Sequence, residues 1–191
     1  MTNRSERYTP PDIFAGLKLS FDLDPCAAPY VFDLKRILSG DWEVKSRSAL
    51  HVPARKFYTI EEDGLAKPWE GMVWMNCPWT GRHTQVPWLQ KFIQHGNGVG
   101  ILLAYTSSDW FHDYMDCMDG LMLPRGKTRY LLPDGSRDGS PPMGSIMFAI
   151  GELAATALRL YAAKGRGLFW EPDKKPPSSR LCGFARDITP T

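Results

Sequence analysis

Residues 73–81 read Val-Trp-Met-Asn-Cys-Pro-Trp-Thr-Gly, an apolar run that stops at an amide and passes through a thiol, a proline and an indole into a turn. Met72 to Met75 is apolar at every position and too short for a helix, so it predicts a buried strand. Downstream, Val86, Leu89, Phe92 and Ile93 fall at helical spacing over 86–95, and Gly96-Asn97-Gly98 ends that helix. Val99 to Tyr105 is a second continuous apolar run and a second buried strand. Strand, helix and strand in this order, with both strands apolar throughout, is the pattern of a parallel sheet covered on both faces.

The same pattern extends in both directions. Upstream, Lys18–Leu23 alternates and predicts a strand that ends at Asp24-Pro25-Cys26-Ala27-Ala28-Pro29. Before it, Thr9 is the expected N-cap of a short helix over 13–17, with prolines in its first turn. Phe57–Ile60 predicts a short strand and Asp63-Gly64-Leu65 a turn. Downstream, Thr106–Asp109 is expected to cap a helix over 110–118, and Gly120–Pro124 reads as a strand. Arg129–Leu132 and Gly144–Ile150 read as two more strands, joined by a Gly/Pro/Ser/Asp loop into an antiparallel hairpin at a sheet edge. Residues 152–163 are Ala/Leu-rich and helical, and 30–56 read as irregular with some helix. The expectation is an α/β domain over 9–163, with a mainly parallel sheet and an antiparallel hairpin at its end. A flexible N-terminus (1–8) and a Pro/Gly/Lys-rich tail (164–191) flank it.

A chain of 191 residues suits one domain with a sizeable core. Its formal net charge of +2 supplies no global basic field, so nucleic-acid contacts would have to come from local patches. The four cysteines (Cys26, Cys77, Cys117 and Cys182) form no CxxC pair and read as reduced thiols in a cytoplasmic protein. No apolar run approaches the roughly 20 residues of a membrane span. The four histidines show no metal-ligand spacing, so no metal is expected.

In open α/β sheets ligands bind beyond the carboxyl ends of the strands, where Asp24-Pro25-Cys26 and Asn76-Cys77-Pro78-Trp79 are expected to lie. An exocyclic amine on a base offers two N–H donors, and a site that holds it needs acceptors without bulk. Asn76 has a side-chain carbonyl oxygen. The main-chain carbonyl of Cys77 is a second acceptor if Pro78, which biases Cys77 to an extended conformation, turns it into the cleft. Trp79 offers a flat face, and stacking a base on an aromatic is worth roughly 1–3 kcal/mol.

These residues resemble the (Asp/Asn/Ser)-Pro-Pro-(Tyr/Phe/Trp) motif of amino-methyltransferases, and their surroundings resemble the phage-type DNA N-6-adenine methyltransferases. The likeness runs in order through "YTPPDIF", "FDLDPCAAP", "EDGLAKPWEGMVWMNCPW", "GVGILLAYTSSDWFHDYM", "LPRGKTRY" and "GSIMFAIG", over about residues 8–151. It departs at Cys77, where the motif has its first proline, and at Asp24–Ala28, which lacks the usual Gly-x-Gly turn. The resemblance implies a Rossmann-like S-adenosylmethionine-dependent methyltransferase fold that acts on adenine N6 in double-stranded DNA. It further implies that Asn76 and the Cys77 carbonyl accept from the target amine, Pro78 holds the turn, and Trp79 stacks on a flipped base. Thr9, Pro10, Asp24, Pro25, Cys26, Ala27, Asp63, Leu65 and Asn76 would border S-adenosyl-L-methionine, with Asp24 near its methionine end. Arg82, His83, Arg125, Lys127, Arg129 and Arg137 are candidate DNA contacts, the last four around the hairpin loop.

Blander readings stand beside this one. Asn76–Trp79 is also an ordinary strand end with a proline turn, Asp24 a turn residue, and Arg125-Gly126-Lys127 a solvated turn. The functional alternatives are cytosine N4, an amine in RNA or a free nucleobase, and a binding module that lost the chemistry at Cys77.

Overall fold

The computed structural model describes residues 7–28, 30–31, 45–46, 52–79, 82–132, 136–139, 141 and 143–173. In chain order these form α1 (Pro11–Leu17), β1 (Phe21–Asp24), β2 (Tyr30–Val31), β3 (Lys45–Ser46), β4 (Ala54–Phe57) and β5 (Val73–Met75). Then come α2 (Arg82–His95), β6 (Gly98–Leu103), α3 (Asp109–Met115), β7 (Gly120–Pro124), β8 (Ser145–Ile150), α4 (Glu152–Tyr161) and β9 (Gly167–Trp170). Seven strands make one sheet in the order β4-β1-β5-β6-β8-β7-β9, while β2 and β3 pair separately.

The sheet splits the apolar runs between two cores. Val73 and Met75 of β5, Leu102 of β6 and Phe148 of β8 face α2 and α3, together with Leu89, Phe92 and Met115. Trp74, Val99, Ile101 and Met147, the alternate positions, face α1 and α4 with Phe14, Leu158 and Tyr161. This is why β5, β6 and β8 are apolar at every position: both faces of each strand are covered. The close fit is visible at Gly100, where an added Cβ would lie 2.3 Å from the Phe148 ring.

Several expected elements are displaced, each for a local reason. Strand β1 starts at Phe21, not Lys18, because Lys18 takes a left-handed conformation (φ 57°) and caps α1. Residues 58–60 leave β4, and the Tyr58 N–H donates to the Asp24 carbonyl instead. Helix α2 begins at Arg82, a turn before the apolar spacing does. Arg129–Leu132 forms no strand and makes only isolated bridges from Leu131 to Tyr8 and Arg137. The expected edge hairpin is therefore absent. β8 instead inserts between β6 and β7, antiparallel to both, as its fully buried pattern requires.

Three strand pairings are parallel and three antiparallel, so the sheet is mixed α/β, not mainly parallel. The boundary expected at residue 164 is overrun, since Gly167–Trp170 pairs with β7 as the outermost strand. Its Gly167 lies so near β7 that a Cβ would meet the Leu123 carbonyl at 2.2 Å. The N-terminal boundary also moves, because Tyr8 is buried and exchanges two backbone hydrogen bonds with Leu131. Cys117 is buried, with its Sγ 3.5 Å from the Asp113 carbonyl, and Cys182 lies outside the described residues. Most of 30–51 lies outside the described residues. Among the described residues no helix is long and apolar enough to cross a membrane.

Candidate active site

The chain leaves β1 toward β4 on one side, then returns to β5 on the other side of β1. The gap between the carboxyl ends of β1 and β5 is thus the point where strand order reverses, the usual place for a ligand cleft in an open sheet. Leu23 is in register with Val73, so Asp24–Ala27 and Asn76–Trp79 leave the sheet side by side. Cys26 reports the contact directly. Its thiol is pushed up by burial, then by the nearby Cys77 thiol and the Asp24 carboxyl, and is partly relieved by a hydrogen bond from the Asn76 backbone N–H.

Asn76 is oriented by the N-terminal segment. Its Nδ2 donates to Thr9 Oγ1 (3.3 Å) and to the Arg7 carbonyl (3.4 Å). A carbonyl can only accept, so the Arg7 contact decides which end of the amide is nitrogen. No described residue donates to Asn76 Oδ1, which is left as a held, unused acceptor. Thr9 is buried but is not the N-cap of α1. Pro10 occupies that position with φ −62° and ψ 140°, and the Thr9 hydroxyl serves Asn76 instead. The segment is strapped down by the Tyr8–Leu131 bonds and by an ion pair from Arg7 to Asp138.

Cys77 is buried, and burial raises its thiol well above the usual range. The neutral thiol is a poor nucleophile. Pro78 is exposed. Trp79 is half-buried, packs on both cores and meets Tyr130 edge-to-face at 4.5 Å. The Tyr130 hydroxyl is itself tied to Ser145 Oγ at 3.0 Å, which makes a rigid backing for the indole. Much of the ring area expected for stacking is therefore already in use by the protein.

At the end of β1, Asp24 is 2% exposed. Among the described residues its carboxyl has one donor, the Cys26 N–H at 3.0 Å to Oδ1. Burial pushes it up to about 7, partly offset by that hydrogen bond. Ala27 is buried and its N–H is taken by the Tyr58 carbonyl. The Asp63–Leu65 turn packs on this strand end. A Cβ on Gly64 would lie 2.0 Å from the Pro25 carbonyl, so only glycine allows the approach. Asp63 is exposed, at φ 53°, and its Oδ1 accepts from the Leu65 N–H at 3.1 Å. Lys91 of α2 braces the turn by donating to the Gly64 and Leu65 carbonyls at 3.3 and 2.6 Å.

The candidate basic contacts are all exposed. Arg82 and His83 open α2 directly after the motif. Arg125 is part-committed, donating to the Gly165 carbonyl at 3.1 Å, and Lys127 donates to Pro141 at 2.9 Å. Arg129 and Arg137 lie on the segment that bridges to Tyr8 and so flank the site.

The chain matches no family model and no curated protein. Among the described residues there is also no cluster of three or more His, Cys, Asp or Glu that could hold a metal ion.

Sequence reading missed three contributors. The Arg7–Tyr8 strap lay in the segment read as flexible. Lys91 reads as surface charge, since its role depends on carbonyls 26 and 27 positions away. Gln85 is wholly buried in α2, and neither Oε1 nor Nε2 has a partner among the described residues. It extends the apolar stripe of Leu89 and Phe92 by one turn. That polar residue at a core position was its only signal.

Proposed function

We propose that the protein is an amino-methyltransferase acting on the N6 amine of adenine in double-stranded DNA, with the base flipped into the Asn76-Cys77-Pro78-Trp79 mouth. The observation that carries the reading is the fixed Asn76 amide, whose nitrogen is spent on Arg7 and Thr9 and whose Oδ1 has no donor among the described residues. Oδ1 and the Cys77 carbonyl accept the two amine N–H groups. This draws the nitrogen lone pair out of conjugation with the ring, and no strong base is needed to start the attack. Because the second acceptor is a main-chain carbonyl, cysteine in place of proline leaves the chemistry intact.

S-adenosyl-L-methionine, when bound, supplies an electrophilic methyl group. The residues fit it at one specific point. Asp24 is a buried carboxyl with a single donor among the described residues, so it suits the ammonium of the methionine end. Pro25, Cys26 and Ala27 present little bulk beside it. The Thr9 hydroxyl meets Asn76, Pro10 follows it at the head of α1, and the Asp63–Leu65 turn approaches Pro25 through Gly64. The base must leave the helix for its amine to be reached. The exposed Arg82, His83, Arg125, Lys127, Arg129 and Arg137 supply phosphate contacts that position the duplex.

The test is a nucleoside digest, read by mass spectrometry, of DNA from cells that express the protein. N6-methyladenine is expected, and Asn76→Ala should lower it about 10²–10³-fold, the usual loss for one preorganised hydrogen-bonding group. Cofactor affinity should stay nearly intact in that variant. An N4-methylcytosine peak would keep the mechanism and change the base. No modified nucleoside from soluble, folded protein would move the reading to RNA, and then to a binding module.

A further inference from the structure

The seven-stranded sheet ends at β9, whose outer side pairs with no strand among the described residues. The Arg125 N–H donates to the Arg166 carbonyl at 2.7 Å, so the backbone groups of Arg166, and of Leu168 and Trp170 in the same register, face β7. Phe169, between them, therefore directs its N–H and C=O out of the sheet, and the Gly167 carbonyl points the same way. Natural edge strands are blunted by charged side chains. On one face β9 instead carries two apolar ones, Leu168 at 69% and Trp170 at 39% exposed. They stand opposite Leu123 and Leu121 of β7, which pack on the α2/α3 core, and so extend that apolar face into solvent. On the other face the Arg159 guanidinium lies 5.5 Å from the Phe169 ring centroid and is ion-paired to Glu171.

Charge selects the partner for this edge. Lys164 and Arg166 precede β9, Glu171 and Asp173 follow it, and all four are exposed. A strand that is basic at its start and acidic at its end complements an antiparallel copy of itself. Each basic end then lies beside the acidic end of the other copy, whereas a parallel copy sets like charge beside like. One register also satisfies the backbone. With the two Phe169 residues opposite each other, their outward N–H and C=O groups exchange two hydrogen bonds. Leu168 of each copy then falls opposite Trp170 of the other, at the closely spaced pairs where cross-strand side chains meet best. The two-fold axis stands perpendicular to the sheet, so the contact is isologous and closes at two copies.

We propose that β9 is a self-association surface, through which a second copy of this chain pairs antiparallel about Phe169 and joins the two sheets edge to edge. Four residues per strand make a small interface, so the dimer forms at about micromolar concentration or above. β9 lies at the opposite end of the sheet from the gap between β1 and β5. The inference is therefore independent of the function proposed above, and variants at β9 leave the candidate site in place.

Sedimentation velocity of the full chain over about 1–300 μM is expected to move from 21.6 kDa toward twice that mass. Leu168→Lys, at an exposed position, should raise the dissociation constant about tenfold or more and leave the melting temperature unchanged. Leu160→Lys, on the exposed face of α4, should leave the dissociation constant as it is. Arg166→Glu and Asp173→Arg should each weaken the dimer about two- to tenfold, and the double variant, which exchanges the two charges, should restore it. Hydrogen exchange at the Phe169 amide should slow as concentration rises. A chain that stays monomeric throughout, as when another segment of the same chain occupies the edge, overturns the proposal. So does a dimer that Leu160→Lys dissociates and Leu168→Lys does not, or one in which the Phe169 amide exchanges at the monomer's rate.

Discussion

Asp24 is the residue at which stability and the candidate function pull in opposite directions. Its carboxyl is raised from 3.8 to about 7 by burial, so the folded state holds the proton more tightly than the unfolded chain does. Stability contributed by the neutral form is complete below 3.8 and is lost as pH rises to 7, on the order of 4 kcal/mol in all. Asp24→Asn should remove this dependence. Chemical denaturation is expected to show the variant gaining on the wild type steadily from pH 4 to pH 7, and then holding level. The same variant should lose S-adenosyl-L-methionine binding in calorimetry. If stability rises while cofactor affinity is unchanged, Asp24 is a burial defect without a ligand. Such a carboxyl is tolerated where function needs it. Its position before Pro25 was legible in the sequence, but its burial was not, because the shielding comes from the neighbouring strands and the 58–65 segment.

At the scale of elements, the Asp63–Leu65 turn is held by three contacts from different parts of the chain. Gly64 approaches the Pro25 carbonyl, Lys91 donates to two of the turn's carbonyls, and Trp69 Nε1 donates to the Gly64 carbonyl at 2.7 Å. Gly64→Ala puts a methyl against a backbone atom that cannot rotate away. It should cost about 1–3 kcal/mol in urea unfolding, the usual range for overpacking. It should also weaken cofactor binding by pushing the turn off β1. Unaltered stability with unaltered affinity would mean that the turn adjusts freely and does not border the cofactor. The turn was readable from Asp63-Gly64 alone. Its partner was not, since nothing local distinguishes a glycine needed for close approach from one needed for a bend.

For the whole molecule, the formal charge of +2 makes DNA affinity a matter of local contacts. The logarithm of the binding constant should fall linearly with the logarithm of salt concentration, with a slope of about −0.9 per phosphate neutralised. Arg82→Ala and Arg129→Ala, both at exposed positions, should each reduce that slope by about 1 without changing base preference. A slope unmoved by either would take these two residues out of the interface. The sheet also shows what a global view adds. β8 was read correctly as a strand, yet its place between β6 and β7 inverts the expected edge hairpin. β9, short and half exposed, was hidden in a segment that composition marks as a tail.

What the sequence determined by itself was local: the buried strands expected over 72–75 and 99–105 and found at 73–75 and 98–103, the helix between them, and the order of side chains at each strand end. Those follow from periodicity and from turn chemistry, which act within a few residues. The tertiary structure decided which strands are neighbours, that the ends of β1 and β5 meet at a reversal of strand order, and which way the Asn76 amide points. It also decided that Gln85 and Trp79 Nε1 are left without partners among the described residues. These depend on contacts between residues far apart in the chain, such as Asn76 with Arg7, 69 positions away, and Arg7 with Asp138, 131 positions away. Burial and hydrogen-bond satisfaction belong to the packed whole, and no stretch of sequence carries them alone.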